Sequence, residues 1–207
     1  MEDTSTAGTA TSWRRVPARW QHRAFQVREK RLTIGRQLRI LDPQGAEIAF
    51  ARQKMFRLRE DVRVYADRSR RDEVLRLQAT KILDFNANFE VQDPTTGEHL
   101  GFVRRKGWSS MVRDQWELAD QAGKPYARLE EDSLGMALVR RFLLAIVPGR
   151  YHVRAVDSPE SSRSVRLRER WQLFGDTYDV ELVDGLVDPR VAVALAILLD
   201  VLDEAKE

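Results

Sequence analysis

The chain has 207 residues, 32% of them charged and 43% hydrophobic, with a net charge of +3. That length and balance suit a globular protein with one sizeable core, or two small domains. There is no cysteine, which excludes disulfides, thiolate metal sites and cysteine nucleophiles. So small a positive excess does not by itself point to nucleic acid.

Met1 to Thr11 is rich in Ser, Thr, Ala and Gly and lacks an apolar core. It reads as a disordered tail and not as a secretion signal. Trp13 to Arg23 is a basic arm carrying Trp13 and Trp20, whose aromatics are expected to pack on the domain. The minority reading is a surface anchor. Residues 1–23 are thus tail and arm, and 24–207 form one domain. The expected location is cytoplasmic, peripheral to a membrane at most.

From Phe25 onward the pattern alternates as half-buried strands do. One unit recurs. It opens with apolar residues spaced by one: Leu38 and Ile40, Val62 and Val64, Phe89 and Val91, Trp116 and Leu118, Tyr151 and Val153, Tyr178 and Val180. An aspartate follows each: Asp42, Asp67, Asp93, Asp120, Asp157 and Asp184. The spacing is 25–27 residues, with one interval of 37. Asp42-Pro43-Gln44-Gly45 and Asp93-Pro94-Thr95-Thr96-Gly97 carry the residues that turn geometry selects. After the first five turns a second strand follows, as at Ile48 and Phe50, Leu75 and Leu77, Leu100 and Phe102, and Val165 and Leu167. With a first strand at Phe25 to Ile34 and a last at Tyr178 to Val183, the count is twelve. Consecutive antiparallel strands close into a barrel to remove their edges, and twelve strands enclose more space than side chains fill.

Two helices complete the prediction. The long interval holds Ser133 to Val147, an apolar-rich stretch capped by Asp132 or Ser133 and stopped by Pro148-Gly149. It reads as an inserted helix packed on the barrel, or as a partner-binding or membrane-surface helix. Asp188 caps the second helix, which spans Pro189 to Ala205. Val191 to Leu199 has no polar side chain. A helix apolar all round is buried, and this run is too short to span lipid. It is the filler for the barrel. The expected class is mainly β (α+β): a closed 12-stranded antiparallel β-barrel around a central C-terminal helix, with one inserted helix at 133–147.

The stretch Val27-Arg28-Glu29-Lys30-Arg31-Leu32-Thr33-Ile34-Gly35, the turn at Asp42 and Gln53-Lys54-Met55-Phe56 with Leu58 resemble the LURP-one-related family. So do Arg170-Trp171, the segment Gly175-Asp176-Thr177-Tyr178-Asp179-Val180-Glu181 and the apolar helix after it. The resemblance covers about Phe25 to Leu202. It implies likeness to the tubby C-terminal domain and to phospholipid scramblases, whose shared fold is a 12-stranded barrel around a central helix. It implies no catalytic constellation. Family members are linked variously to phosphoinositide binding, lipid scrambling and plant defence. The inserted helix departs from the simple pattern.

No catalytic or metal site is expected, and no cofactor. His22, His99 and His152 lack partners at metal-ligand spacing. Nucleophile elbows, phosphate loops and dinucleotide fingerprints are absent. Glu130-Glu131-Asp132 is the densest carboxylate run, best explained by capping of the inserted helix. The candidate chemistry is basic. Lys30, Lys54, Lys81, Arg104, Arg105, Lys106 and Arg170 close second strands or stand beside such ends, and Arg163, Arg166, Arg168 and Arg170 fall largely on one strand face. Such cations suit anionic phospholipid or phosphoinositide headgroups. The bland alternative is a solvated outer wall.

The expected function is a non-enzymatic binding module. The alternatives are a protein-interaction domain using 134–147 and, more weakly, scramblase-like lipid handling. Nucleic acid is not the expected partner. Strand alternation places the turn aspartates at one rim and the strand-end cations at the other. The helix then runs toward the cationic rim, delivering Asp200, Asp203 and Glu204 as partners for those cations.

Overall fold

A computed structural model describes residues 16–30, 36–53, 61–83, 86–106, 115–131, 149–159, 161–170 and 175–203. The inserted helix at 133–147, the tail with Trp13, and Lys54 and Glu204 lie outside the described residues.

Twelve strands follow one another: β1 Ala24–Lys30, β2 Arg36–Leu41, β3 Glu47–Gln53, β4 Val62–Tyr65, β5 Glu73–Leu83, β6 Asn86–Asp93, β7 Glu98–Lys106, β8 Gln115–Ala119, β9 Pro125–Glu131, β10 Arg150–Ala155, β11 Val165–Arg170 and β12 Thr177–Leu182. Each pairs antiparallel with its sequence neighbours, and β1 pairs with β12, from Ala24 opposite Glu181 to Arg28 opposite Thr177. The barrel is therefore closed, with no free edge. All six aspartates of the repeat lie at or just beyond the end of an even-numbered strand, hence at one rim. In five of them the carboxylate works in the turn, as sequence alone predicts. Asp42 accepts from the amides of Gln44 and Ala46, and Asp67 from Ser69. Asp93 accepts from Thr95, Asp120 from Lys124 and Asp184 from Leu186.

The barrel is filled by α1, Pro189–Asp203, about 22 Å long at about 1.5 Å per residue. Every residue from Val191 to Leu199 is buried, with Leu195 and its neighbours Ala192 to Leu198 at 0% exposure. Among the described residues the only other helical element is a 3-10 turn at Ala18–Trp20. Its Trp20 is fully buried and tilts against Phe25, with ring centroids 6.2 Å apart.

The helix also dictates what the wall can present inward. On β3 the large residues Ile48 and Phe50 were the expected strand markers, yet Ala49 and Ala51 face the core. Ala49 stands opposite Ile40 and Ala51 opposite Leu38, both core residues. On β7 it is likewise Gly101 and Val103, not Leu100 and Phe102, that pair with the inward Val91 and Phe89. A barrel already occupied by a helix has room for small side chains on part of its wall. The displaced aromatics are roofed from outside by guanidinium groups, Arg68 at 5.6 Å over Phe50 and Arg104 at 5.4 Å over Phe102. No helix among the described residues is long and apolar enough to cross a membrane.

Candidate functional site

The two ends of α1 carry most of the buried charge. At its start, Asp188 caps the helix by accepting from the Arg190 amide at 2.8 Å. The Arg190 side chain is 1% exposed and reaches three acids. It donates to Asp93 at 2.7 Å and to Asp188 at 2.8 Å, and its guanidinium stands 2.9 Å from Glu98. Burial alone would push this guanidinium down, but the hydrogen bond and charge of Asp188, with Asp93 and Glu98, outweigh it and hold it charged. Asp93 serves twice: one carboxylate oxygen closes its own β6–β7 turn and the other receives Arg190. This network escaped the sequence reading. Its signal was Arg190, the sole cation of the helix, directly before the nine apolar residues Val191 to Leu199.

At the other end, Asp200 lies in the last turns of α1 and is 3% exposed. Glu29 on β1 and Asp176 before β12 join it, each with a carboxylate oxygen within 4.8 Å of the others. The chain reaches this point through Gly175, at φ +135°, where an added Cβ would stand 2.5 Å from the Glu29 carbonyl oxygen. The Glu29 amide in turn donates to the Asp176 carbonyl at 2.8 Å. Hard cations accept oxygens at such spacing, but three acids alone do not make a metal site. None of the three is without a partner. The helix thus runs from the aspartate rim toward the rim where odd-numbered strands end, the direction the strand alternation requires.

Of the predicted cations, Lys30, Lys106 and Arg170 end odd-numbered strands and Lys81 lies near the end of β5, at the rim opposite the turn aspartates. Lys30 is exposed at the end of β1. Lys81 and Lys106 are placed by strand register opposite Asn88 and Asn86. Arg104 is tied down on the outer wall, donating to the Gly123 carbonyl at 2.9 Å and to Asn88. Arg105 has the opposite parity: it stands in register with the inward Trp116, its guanidinium 6.0 Å from that ring. Arg170 chelates Asp179 at 2.6 Å. Asp203 ends α1, beyond Asp200. His99 and His152 sit 3.3 and 3.6 Å from Glu90 and Glu130, and neither joins the acidic group above. Glu130 serves Arg154, whose hydrogen bond holds its carboxyl below the usual range against the effect of burial.

Register shows what spacing alone cannot. In the described sheet four pairs of arginines stand directly opposite one another: Arg28 and Arg39, Arg63 and Arg76, Arg128 and Arg154, Arg150 and Arg168. Like charges so placed destabilise a sheet, and acids relieve three of the four. Arg39 has Glu47 at 2.6 Å and Arg76 has Glu73 at 2.6 Å. Arg154 has Glu130 at 2.6 Å, and Arg128 has Glu117 at 3.5 Å. Arg150 and Arg168 are both exposed, and among the described residues neither has an acidic partner. The acid nearest in register to Arg168 is Asp179, which Arg170 already holds.

A closed twelve-stranded antiparallel barrel threaded by an apolar C-terminal helix is the class that fold and wall define. The model of the LURP-one-related family matches residues 47–200, and the chain belongs to that family, as its motifs implied. An Arabidopsis thaliana protein solved by X-ray methods is similar at a TM-score of 0.49 and 16% identity, over 89% of this chain and 92% of that one. No curated protein matches the chain.

Proposed function

We propose that this protein is a non-enzymatic binding module whose outer wall holds anionic phospholipid headgroups at a membrane surface. The observation that carries the reading is the Arg150–Arg168 pair. It joins two exposed guanidinium groups on adjacent strands with no acid to relieve them among the described residues. Left alone, such a pair costs up to about 1 kcal/mol. A phosphate between them offsets that cost, because guanidinium presents paired N–H donors that match phosphate oxygens. On the same strand face Arg166 pairs with Glu181 at 3.3 Å and Arg170 with Asp179 at 2.6 Å, while Arg168 has Arg150 opposite it.

Co-sedimentation with phosphatidylcholine vesicles, with and without phosphatidylserine, tests the reading. Binding should require the anionic lipid and fall steeply as salt rises, as exposed charge contacts do. Equal recovery with neutral and anionic vesicles, or none with either, would overturn it.

A further inference from the structure

Next to the Arg150–Arg168 pair lies a second arrangement of polar side chains on the wall. Arg170, Thr177 and Arg28 stand in one row across β11, β12 and β1: Arg170 is opposite Thr177, and Thr177 is opposite Arg28. All three have outward parity, since the alternate residues Leu167, Tyr178, Val180 and Val27 form the core. An outward threonine should be wet, yet Thr177 is 0% exposed. Among the described residues its hydroxyl has no hydrogen-bond partner, and neither has the buried Nε of Arg28. The only hydrogen bond of the Arg28 side chain among the described residues is to the Gln26 side chain at 3.2 Å. Two buried donors, neighbours in register, are thus both unanswered. Buried polar groups are nearly always satisfied, and an exception points to a water or ion that completes it.

The surroundings favour an anion. Arg39, next in the row, is balanced by Glu47. Arg170 is balanced by Asp179, the acid adjoining the row. Gln26 is neutral. Among the described residues Arg28 has no acidic partner. The stems of Arg28 and Arg170 are two strand spacings apart, about 10 Å at about 4.7–4.9 Å each, with the Thr177 hydroxyl between them. Two guanidinium forks flanking one hydroxyl supply donors for the three terminal oxygens of a phosphomonoester, whereas a phosphodiester offers only two such oxygens.

We infer that Arg28, Thr177 and Arg170 form a phosphomonoester site on the outer wall where β11, β12 and β1 meet. The inference rests on the headgroup reading for its lipid source, but the site is defined by the phosphate group itself. The acceptor that arrives takes the Arg28 Nε–H and the Thr177 O–H, and Arg170 shares its fork between Asp179 and the phosphate.

Thr177→Val is the sharpest probe, because it removes one hydroxyl and keeps the shape. Losing an unsatisfied buried hydroxyl favours the fold, so this variant should melt no lower than the parent while losing the ligand. The assay compares vesicles carrying phosphatidic acid, a monoester, with vesicles carrying phosphatidylserine at matched surface charge. The parent should prefer the first by about tenfold, the worth of one charge-assisted hydrogen bond. Thr177→Val and Arg28→Gln should abolish that preference and still bind phosphatidylserine vesicles.

Should the folded variants keep the preference, or the parent have none, the site falls while the headgroup reading stands. If the parent ignores every vesicle but inorganic phosphate shifts its Arg28 Nε–H resonance, and Thr177→Val removes that shift, the headgroup reading falls and the site stands for free phosphate. No response to vesicles or to inorganic phosphate defeats both. Should Arg28→Gln fail to fold, Thr177→Val decides alone.

Discussion

Arg190 and the Arg150–Arg168 pair use the same side chain in opposite ways. Arg190 is buried and answered by three acids from the helix cap and the β6–β7 hairpin. Arg150 and Arg168 are exposed, face one another, and have no acid among the described residues. A buried charge survives only when paired, so the first arrangement answers a demand of the fold. The second answers no demand of the fold and adds repulsion to it. The difference separates charge that holds the barrel together from charge presented to something outside it.

The comparison can be broken first at the helix itself. Leu195 is fully buried inside the barrel, and Leu195→Asp would place an unpaired charge there. The expected outcome is no soluble folded protein; a cooperative thermal transition for this variant would mean the helix does not fill the barrel. Next comes the network. Arg190→Ala leaves Asp93 and Asp188 without their cation and should cost about 3–5 kcal/mol in denaturant melts. In the protein that survives, it should leave vesicle binding intact. A cost below about 1 kcal/mol would mean the network is not what anchors the helix.

A smaller effect is expected on the wall. Ala51 faces the helix at 1% exposure, so Ala51→Leu should overpack the barrel and cost about 1–3 kcal/mol. A neutral result would show spare volume between β3 and the helix. The smallest effect belongs to the outer ion pairs. Arg68 first, then Arg39, hold the Glu47 carboxyl below its ordinary value of 4.5, against the opposing effect of burial. A carboxyl depressed in the folded state stabilises above its unfolded pKa and loses that contribution as pH falls through the folded value. Glu47→Gln should therefore lower stability by about 1 kcal/mol or less at neutral pH. The difference should vanish in acid, which melts at pH 7 and pH 3 would show.

Much of the barrel was legible in the sequence because its turns repeat a chemical device. An aspartate that accepts from the amides after it recurs at Asp42, Asp67, Asp93, Asp120 and Asp184, and backbone geometry selects it whatever surrounds the turn. The apolar run of α1 was equally plain, since no exposed helix is apolar on every side. Local pattern failed where the filled interior reversed the usual rule. On β3 the small Ala49 and Ala51 join the core around the helix, while Phe50 is buried under the Arg68 guanidinium, so the large apolar residues that mark the strand do not mark its inward face. The candidate site was the least legible part. Arg166, Arg168 and Arg170 were visible as a basic strand face, but the acids that Arg166 and Arg170 pair with come from β12. The partner that makes Arg168 distinctive comes from β10. Cross-strand register is a property of the closed sheet and has no local signature in sequence.

The most direct test of the account reads stability and binding in one variant, Arg150→Gln with Arg168→Gln. Because these arginines oppose one another with no acid to hold them, the double variant should melt in denaturant within about 0.5 kcal/mol of the parent, or slightly higher, as surface changes do. The same preparation should lose its salt-sensitive recovery with phosphatidylserine vesicles. Undiminished vesicle binding by this folded variant would contradict the account, and so would a substantial loss of stability, which would place both arginines among the charges that hold the barrel together.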